Sequence, residues 1–267
     1  MAQPIPAPRR DWAIFLDVDG TLLEIAAAPD AVVVPADLPA RLATLAHALD
    51  GAVALISGRP VAALDRLFAP LRLAAAGLHG GELRLIADGA VVRSPPSAGL
   101  PTIRAALERF AAMRPGLRVE DKGATIAVHY RQAAHERAAL DALLRRAVAA
   151  ADDDLVVMPA HMAFEIKPRA FDKGAAIATL MRVAPFRGRV PLFIGDDRTD
   201  EDGFAALEAF HGHGIRVGRD GESRARWRID DPAAVRRWLA GVAAALAAGN
   251  VPPAASETKK NGTGRRA

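Results

Sequence analysis

Three short runs of this chain are continuously apolar, and each stops abruptly at a polar residue. Ala13-Ile14-Phe15-Leu16 stops at Asp17, Val53-Ala54-Leu55-Ile56 at Ser57, and Val190-Pro191-Leu192-Phe193-Ile194 at Gly195-Asp196-Asp197. A run without alternation is what a strand buried on both faces of a parallel sheet requires. Helical stripes lie between the first two runs and beyond: Leu38, Leu42, Leu45 and Leu49, then Val61, Leu64, Leu67 and Phe68. Strands that alternate with helices predict an open α/β sheet with right-handed crossovers. In such sheets ligands bind beyond the carboxyl ends of the strands, where all three runs deliver their polar residues.

The middle of the chain breaks this rhythm. Ser94-Pro95-Pro96-Ser97 reads as a linker. A helical stripe follows (Ile103, Leu107, Phe110, Met113), then two short strands around Asp121-Lys122-Gly123. A second stripe (Leu140, Leu143, Leu144, Val148) precedes strands over Leu155 to Met158 and Met162 to Ile166. This α-β-β-α-β-β order with hairpin turns suits a small α+β domain. Alternation resumes from Phe171, with a helix from Lys173, the strand to Ile194, a helix from Asp200 and a strand near Ile215-Val217. The expected organisation is a core over 11–97 and 170–248, an inserted α+β domain over 98–169, and a disordered basic tail over 249–267.

Composition narrows the classes of function. At 267 residues, about half of them apolar, the chain can bury a sizeable core. No apolar run approaches the ~20 residues of a membrane span. Met1 to Arg10 lacks the apolar stretch of a secretory signal. Without a cysteine there are no disulfides, thiolate nucleophiles or cysteine metal sites, which fits a cytoplasmic enzyme. The formal charge is +4, and Lys259, Lys260, Arg265 and Arg266 against Glu257 put +3 of it in the tail. The folded body is therefore nearly neutral and lacks the basic face of a nucleic-acid binder. Arginines outnumber lysines thirty to five, and the lysines before the tail are Lys122, Lys167 and Lys173. A compact point charge is a reason to keep lysine at such positions.

The polar residues at the strand ends suggest phosphate chemistry. In Asp17-Val18-Asp19-Gly20-Thr21 two carboxylates leave a strand two residues apart, and Gly20 permits a tight turn. One aspartate can be a covalent nucleophile in phosphoryl transfer, and the other can protonate the leaving oxygen and later activate water. The same letters also describe a metal-free Asp-Gly turn. Ser57-Gly58-Arg59 offers a hydroxyl and amides to a phosphate oxygen, or is simply a turn. Burying the carboxylates of Gly195-Asp196-Asp197-Arg198-Thr199-Asp200 is costly without a cation, and Mg²⁺ suits such a group. Lys173 can offset charge on the phosphate and on Asp17, or face water at a helix start.

Taken in order, D-x-D-G-T, S-G-R, K-G and G-D-D-x-x-D resemble the motifs of the haloacid dehalogenase superfamily over 13–97 and 170–217. The resemblance implies an α/β fold, a Rossmann-like parallel-sheet haloacid-dehalogenase core with an inserted α+β cap domain. It implies Asp17 as nucleophile and Asp19 as general acid and base. Thr21, Ser57, Gly58, Arg59 and Lys173 are expected around the phosphate, with Thr21 supporting the loop. Asp17, Asp19 through its carbonyl, and Asp196 are expected at Mg²⁺, with Asp200 behind them and Asp197 close by. No G-x-x-x-x-G-K loop points to a nucleoside triphosphate.

The inserted segment narrows the resemblance. Val119-Glu120-Asp121-Lys122-Gly123 runs into Ile126-Ala127-Val128-His129-Tyr130-Arg131, and Phe164-Glu165-Ile166-Lys167-Pro168 follows later. With Leu78-His79-Gly80-Gly81-Glu82, these are similar to motifs of the trehalose-6-phosphate phosphatases. That family implies Glu120, Lys122 and Glu165 as sugar contacts and Arg131 as a contact to phosphate or a closer of the cap. His129 is expected to pack without touching substrate. A neutral, hydroxyl-rich sugar suits such charged hydrogen-bonding side chains better than an apolar slot. The remaining expectations are a monomer in the cytoplasm with no membrane or nucleic-acid partner, coupled functionally to a trehalose-phosphate synthase. The rivals are a capped phosphatase for another sugar phosphate, a phosphomutase, and a phospho-receiver switch.

Overall fold

The computed structural model describes residues 5–26, 31–151, 154–160, 162–219 and 221–249. The basic tail expected from 249 lies, from 250 onward, outside the described residues. The chain runs β1 (Trp12–Leu16), α1 (Leu38–Ala48), β2 (Val53–Ile56), α2 (Val61–Leu67), β3 (Ala74–Gly77), β4 (Glu82–Arg84) and β5 (Val92–Arg93). Next come α3 (Leu100–Ala112), β6 (Arg118–Asp121), β7 (Ile126–His129), α4 (Arg137–Ala149), β8 (Leu155–Ala160) and β9 (Ala163–Pro168). It ends with α5 (Lys173–Leu180), β10 (Val190–Gly195), α6 (Asp200–Ala206), β11 (His213–Val217), β12 (Trp227–Ile229) and α7 (Pro232–Ala247).

The strands form one sheet of eight, ordered β12-β11-β10-β1-β2-β3-β4-β5, and one of four, ordered β6-β7-β9-β8. The larger sheet is parallel from β12 to β3 and antiparallel at the β4 and β5 edge. Every residue of β1 is fully buried, as its unbroken apolar run requires. Leu16 pairs with Ile194 on one side and Leu55 on the other, so the three apolar runs end at nearly one level. The Asp17 amide then donates to the Ile194 carbonyl at 3.0 Å, which sets the motif residues side by side above the sheet.

The smaller sheet belongs to the cap, whose α-β-β-α-β-β order is the one read from the sequence. Alternation divides its residues. Ile126, Val128, Phe164 and Ile166 pack against Ile103, Leu107, Leu140 and Leu144 of the two cap helices. Glu120, Ala127, His129, Ala163 and Glu165 line a cavity shared with the core. The hairpin strands run longer than expected, because Pro159 and Ala160 continue the ladder to Ala163. Pro159 breaks nothing there, since β8 is an edge strand.

Strands β3, β4, β5 and β12 and helix α7 go beyond the sequence reading. The Ala74-Ala75-Ala76-Gly77 run has little strand propensity and is a strand because β2 beside it and the core around it bury it. Among the described residues, no helix is long and apolar enough to cross a membrane.

Candidate active site

Four elements of the core converge above the sheet. Lys173 opens α5, whose start is fixed by Asp172: its carboxylate accepts from the Ala175 amide at 2.7 Å. The buried Lys173 Nζ donates to Asp17 Oδ1 at 2.7 Å and to Asp200 Oδ1 at 2.6 Å. Asp200, at the start of α6, also accepts from the Asp196 and Asp197 amides at 2.9 Å each, which closes the loop after β10. Carboxylate oxygens of Asp17, Asp196 and Asp200 lie within 4.8 Å of one another. Two glycines make this crowding feasible. A Cβ on Gly20, whose φ is +84°, would lie 2.2 Å from Asp196 Oδ2, and one on Gly195 would lie 2.3 Å from Asp200 Cγ.

The charges do not balance within the chain. Burial, reinforced by Asp196 and Asp197 against the pull of Lys173, pushes Asp17 up to about 8. Burial and the charges of Asp200 and Asp197 push Asp196 up to about 6. Asp200 is raised too, by burial first and then by Asp17 and Asp197, with Lys173 opposing. Burial disfavours the Lys173 charge, but Asp17, Asp200 and Asp197 outweigh it and keep the amine protonated. Three crowded carboxylates against one ammonium form a donor set that fits a hard cation.

Asp19, Thr21, Arg59 and Asp197 each have side-chain partners within the protein. The Asp19 carboxylate is outside the acidic cluster, gripped by Arg59 through Nε to Oδ2 at 2.6 Å and Nη2 to Oδ1 at 2.7 Å. That fork puts the Arg59 guanidinium on the acid rather than leaving it turned to phosphate. The Thr21 hydroxyl is buried and donates to Asp196 Oδ1 at 3.1 Å, which supports the loop as expected. Asp197 Oδ1 accepts from the Thr199 amide at 2.8 Å and hydroxyl at 2.7 Å, so its carboxylate serves the turn and lies outside the metal cluster. Ser57, Gly58 and Lys173 line the cavity beside Asp17 and Asp19. The Ser57 hydroxyl accepts from the Arg59 amide at 3.1 Å, which shapes the turn.

The cavity, about 470 Å³, continues from this cluster up to the cap. Glu120 pairs with Ala127 across β6 and β7, and Ala127 with Glu165 across β7 and β9. The two carboxylates thus stand in one row on either side of a methyl group. Glu165 is buried and accepts from the Thr125 hydroxyl at 2.9 Å and from Lys122 Nζ at 3.4 Å. Burial alone would raise the Glu165 pKa, but Lys122, His79 and Thr125 outweigh it and hold the carboxyl well below its usual value. Glu120 meets His129 Nε2 at 2.8 Å, and that bond lowers its pKa. His129 lines the cavity too, beside Glu120. Arg131 lines the cavity and makes no ion pair among the described residues. Lys122 also reaches the Gly58 carbonyl at 3.4 Å, and Lys167 donates to the Phe171 carbonyl where the cap rejoins the core. All three lysines that precede the tail therefore sit at or beside the seam between core and cap.

Among the residues that sequence reasoning left out of the site are Ala127 and His79. Ala127 shows only through the strand register. His79 was visible in the Leu78 to Glu82 motif, but its contact with Glu165, 86 positions away, is a product of tertiary structure.

Known proteins give this architecture a family. The trehalose-phosphatase family profile matches residues 15–233. A trehalose-6-phosphate phosphatase of Escherichia coli is 41% identical over 249 residues, covering 92% of this chain and 93% of that one. A probable trehalose-phosphate phosphatase of Sinorhizobium fredii is 42% identical over 208 residues, 78% of each chain. In fold, the chain is similar to the C-terminal domain of a C. albicans trehalose-6-phosphate phosphatase, with a TM-score of 0.76 at 21% identity over 89% of this chain and 93% of that domain. The profile takes in the aspartates, Lys173 and the carboxylate row of the cap alike, and the chain belongs to the trehalose-phosphatase family.

Proposed function

We propose that this protein hydrolyses trehalose 6-phosphate to trehalose and inorganic phosphate through a phospho-aspartate on Asp17. The observation that carries the reading is that one cavity joins Asp17, Asp19 and Lys173 to Glu120, Lys122 and Glu165. Its size is that of small-molecule sites. A phosphate set against the core cluster leaves its sugar on the polar face of the cap sheet.

Asp17 attacks phosphorus, and the bond from phosphorus to the sugar oxygen breaks. A proton on the Asp19 carboxyl goes to that oxygen as trehalose leaves. The Asp19 carboxylate then takes a proton from a water whose oxygen attacks the same phosphorus. The bond to Asp17 breaks, giving inorganic phosphate and restoring both groups. Lys173 holds Asp17 at 2.7 Å, aims it, and offsets its charge against the incoming dianion. The Arg59 fork fixes the orientation of Asp19, so the leaving sugar oxygen must compete with Arg59 for that carboxyl group. Mg²⁺, held by Asp17, Asp196 and the Asp19 carbonyl with Asp200 behind, would neutralise the phosphate charge that faces the carboxylates.

The sugar faces Glu120, Lys122 and Glu165, which accept from and donate to its hydroxyls, while Ala127 leaves space between the carboxylates. The working unit of this reading is a monomer. A cytoplasmic setting with no nucleic-acid or membrane partner completes the reading. The substrate joins two sugars and carries a phosphate, so a glycosyl-transferring trehalose-phosphate synthase must supply it.

Phosphate release from the 6-phosphates of trehalose, sucrose, glucose and mannose, with and without a chelator, tests the proposal. The expected result is a strong, chelator-sensitive preference for trehalose 6-phosphate. Preference for another ester would keep the phosphatase and discard the substrate. Release that is indifferent to chelator would discard the metal.

A further inference from the structure

The turn that carries His79 is unusual in its backbone and in what it touches. Leu78, His79 and Gly80 have φ of 51°, 56° and 108°. Consecutive residues in this region are uncommon outside glycine and persist where the surroundings hold them. Here the Leu78 amide donates to the Arg59 carbonyl at 3.1 Å and the His79 amide to the Ser57 carbonyl at 3.0 Å. The turn is thus tied to the loop that lines the phosphate end of the cavity. The ring lies over Gly58, where a Cβ would come within 2.6 Å of His79 Nε2.

From there the ring reaches out of the core. Nε2 meets Glu165 Oε2 of the cap at 3.2 Å, and Nδ1 has no hydrogen-bond partner among the described residues, so this is the hydrogen bond that orients the imidazole there. Burial pushes the His79 pKa below its usual value despite Glu165, which favours a neutral ring. With the carboxylate as acceptor, Nε2 is the nitrogen that carries the proton. Among the groups that bond Glu165, Thr125 and Lys122 belong to the cap and travel with it. His79 belongs to the core, so its bond exists only while the cap is seated.

We propose that His79 is a positioning residue for sugar recognition: from the core it orients the Glu165 carboxylate of the seated cap, so that closure completes the sugar-binding face. The proposal rests on the substrate reading above. Sugar phosphates depend on the contact because they present hydroxyls to Glu165. A small aryl phosphate, which fills only the core end, does not.

The test uses the full chain with His79→Asn and His79→Gln. Asparagine tolerates the left-handed backbone but is too short to keep the bond, whereas glutamine restores an N–H at longer reach. His79→Asn should lower kcat/KM for trehalose 6-phosphate by about tenfold to a hundredfold, mainly through KM, the loss expected for a hydrogen bond to a charged group. Its effect on 4-nitrophenyl phosphate should be several times smaller, and His79→Gln should regain part of the loss on the sugar ester. Melting temperatures of both variants separate this from misfolding. Equal losses on both esters, or no loss on the sugar ester, would overturn the proposal while leaving an active wild-type enzyme and the substrate reading intact. A wild-type enzyme that ignores trehalose 6-phosphate would remove the substrate reading, and the proposal with it.

Discussion

The two ends of the cavity are built from sheets in opposite ways. In the core the chemistry sits past the ends of strands: Asp17 follows β1, Ser57 follows β2, and Asp196 follows β10. Each strand spends its whole length on the core and delivers its polar residues in one burst. In the cap the chemistry lies on the face of the sheet, where Glu120, Ala127 and Glu165 form a row between apolar residues of the other face. The first design crowds charge at a point and leaves it unbalanced without a cation. The second spreads charge over a surface and pairs it locally, Glu120 with His129 and Glu165 with Lys122 and His79. A point of concentrated charge suits a phosphate and its metal, and a spread of paired polar groups suits a ring of hydroxyls.

This division can be broken by experiment, most sharply at the point. Asp17→Asn should lower turnover of sugar and aryl phosphates alike by at least about a thousandfold, with the circular dichroism spectrum retained. Appreciable residual turnover on either ester would remove Asp17 as nucleophile. On the face, the probe is size. Ala127→Phe fills the gap between Glu120 and Glu165, and kcat/KM for trehalose 6-phosphate should fall by about a hundredfold, against about threefold or less for 4-nitrophenyl phosphate. A loss shared equally would mean that the row does not seat the sugar.

The unbalanced charge of the core gives the next effect. Folded Asp17 and Asp196 hold protons up to about 8 and about 6, against 3.8 for an ordinary aspartate. Their contribution to the stability of the metal-free fold is complete below the ordinary value and is lost as pH rises through the folded ones. Mg²⁺ must displace those protons, so its stabilisation should grow with pH. The rise in Tm on adding Mg²⁺ should therefore be larger at about pH 8.5 than at about pH 5.5, and a rise independent of pH would place the cation elsewhere. The smallest effect separates support from site. Asp231 caps α7 as Asp172 caps α5, each through one bond of 2.7 Å to a backbone amide. Alanine at either should cost about 1 kcal/mol in urea unfolding. Only Asp172→Ala should also slow catalysis, because α5 begins with Lys173; equal kinetics in the two variants would make Lys173 independent of its helix cap.

The core end was legible in the sequence because each of its elements is local. An apolar run followed at once by its polar residues needs no knowledge of the rest of the chain, and D-x-D-G-T, K-G and G-D-D-x-x-D kept their spacing. Parallel strands ending at one level then brought together what the chain separates by more than 150 positions, as Lys173 and Asp17 show. The β3 strand was not legible, since Ala74-Ala75-Ala76 has no pattern of its own and takes its form from its neighbours.

What the sequence by itself determined was the alternation of buried strands and helices, the break that introduces the cap, and the identity of most polar residues at the cavity. Short-range patterning and chain connectivity are enough for that. Tertiary structure decided which groups those residues face. It put Arg59 on Asp19 and Thr21 on Asp196, and it brought His79 to Glu165 across the seam. A side chain's partner depends on which backbone passes within about 3 Å of it, and in a fold whose contacts span long stretches of chain no local pattern carries that distance.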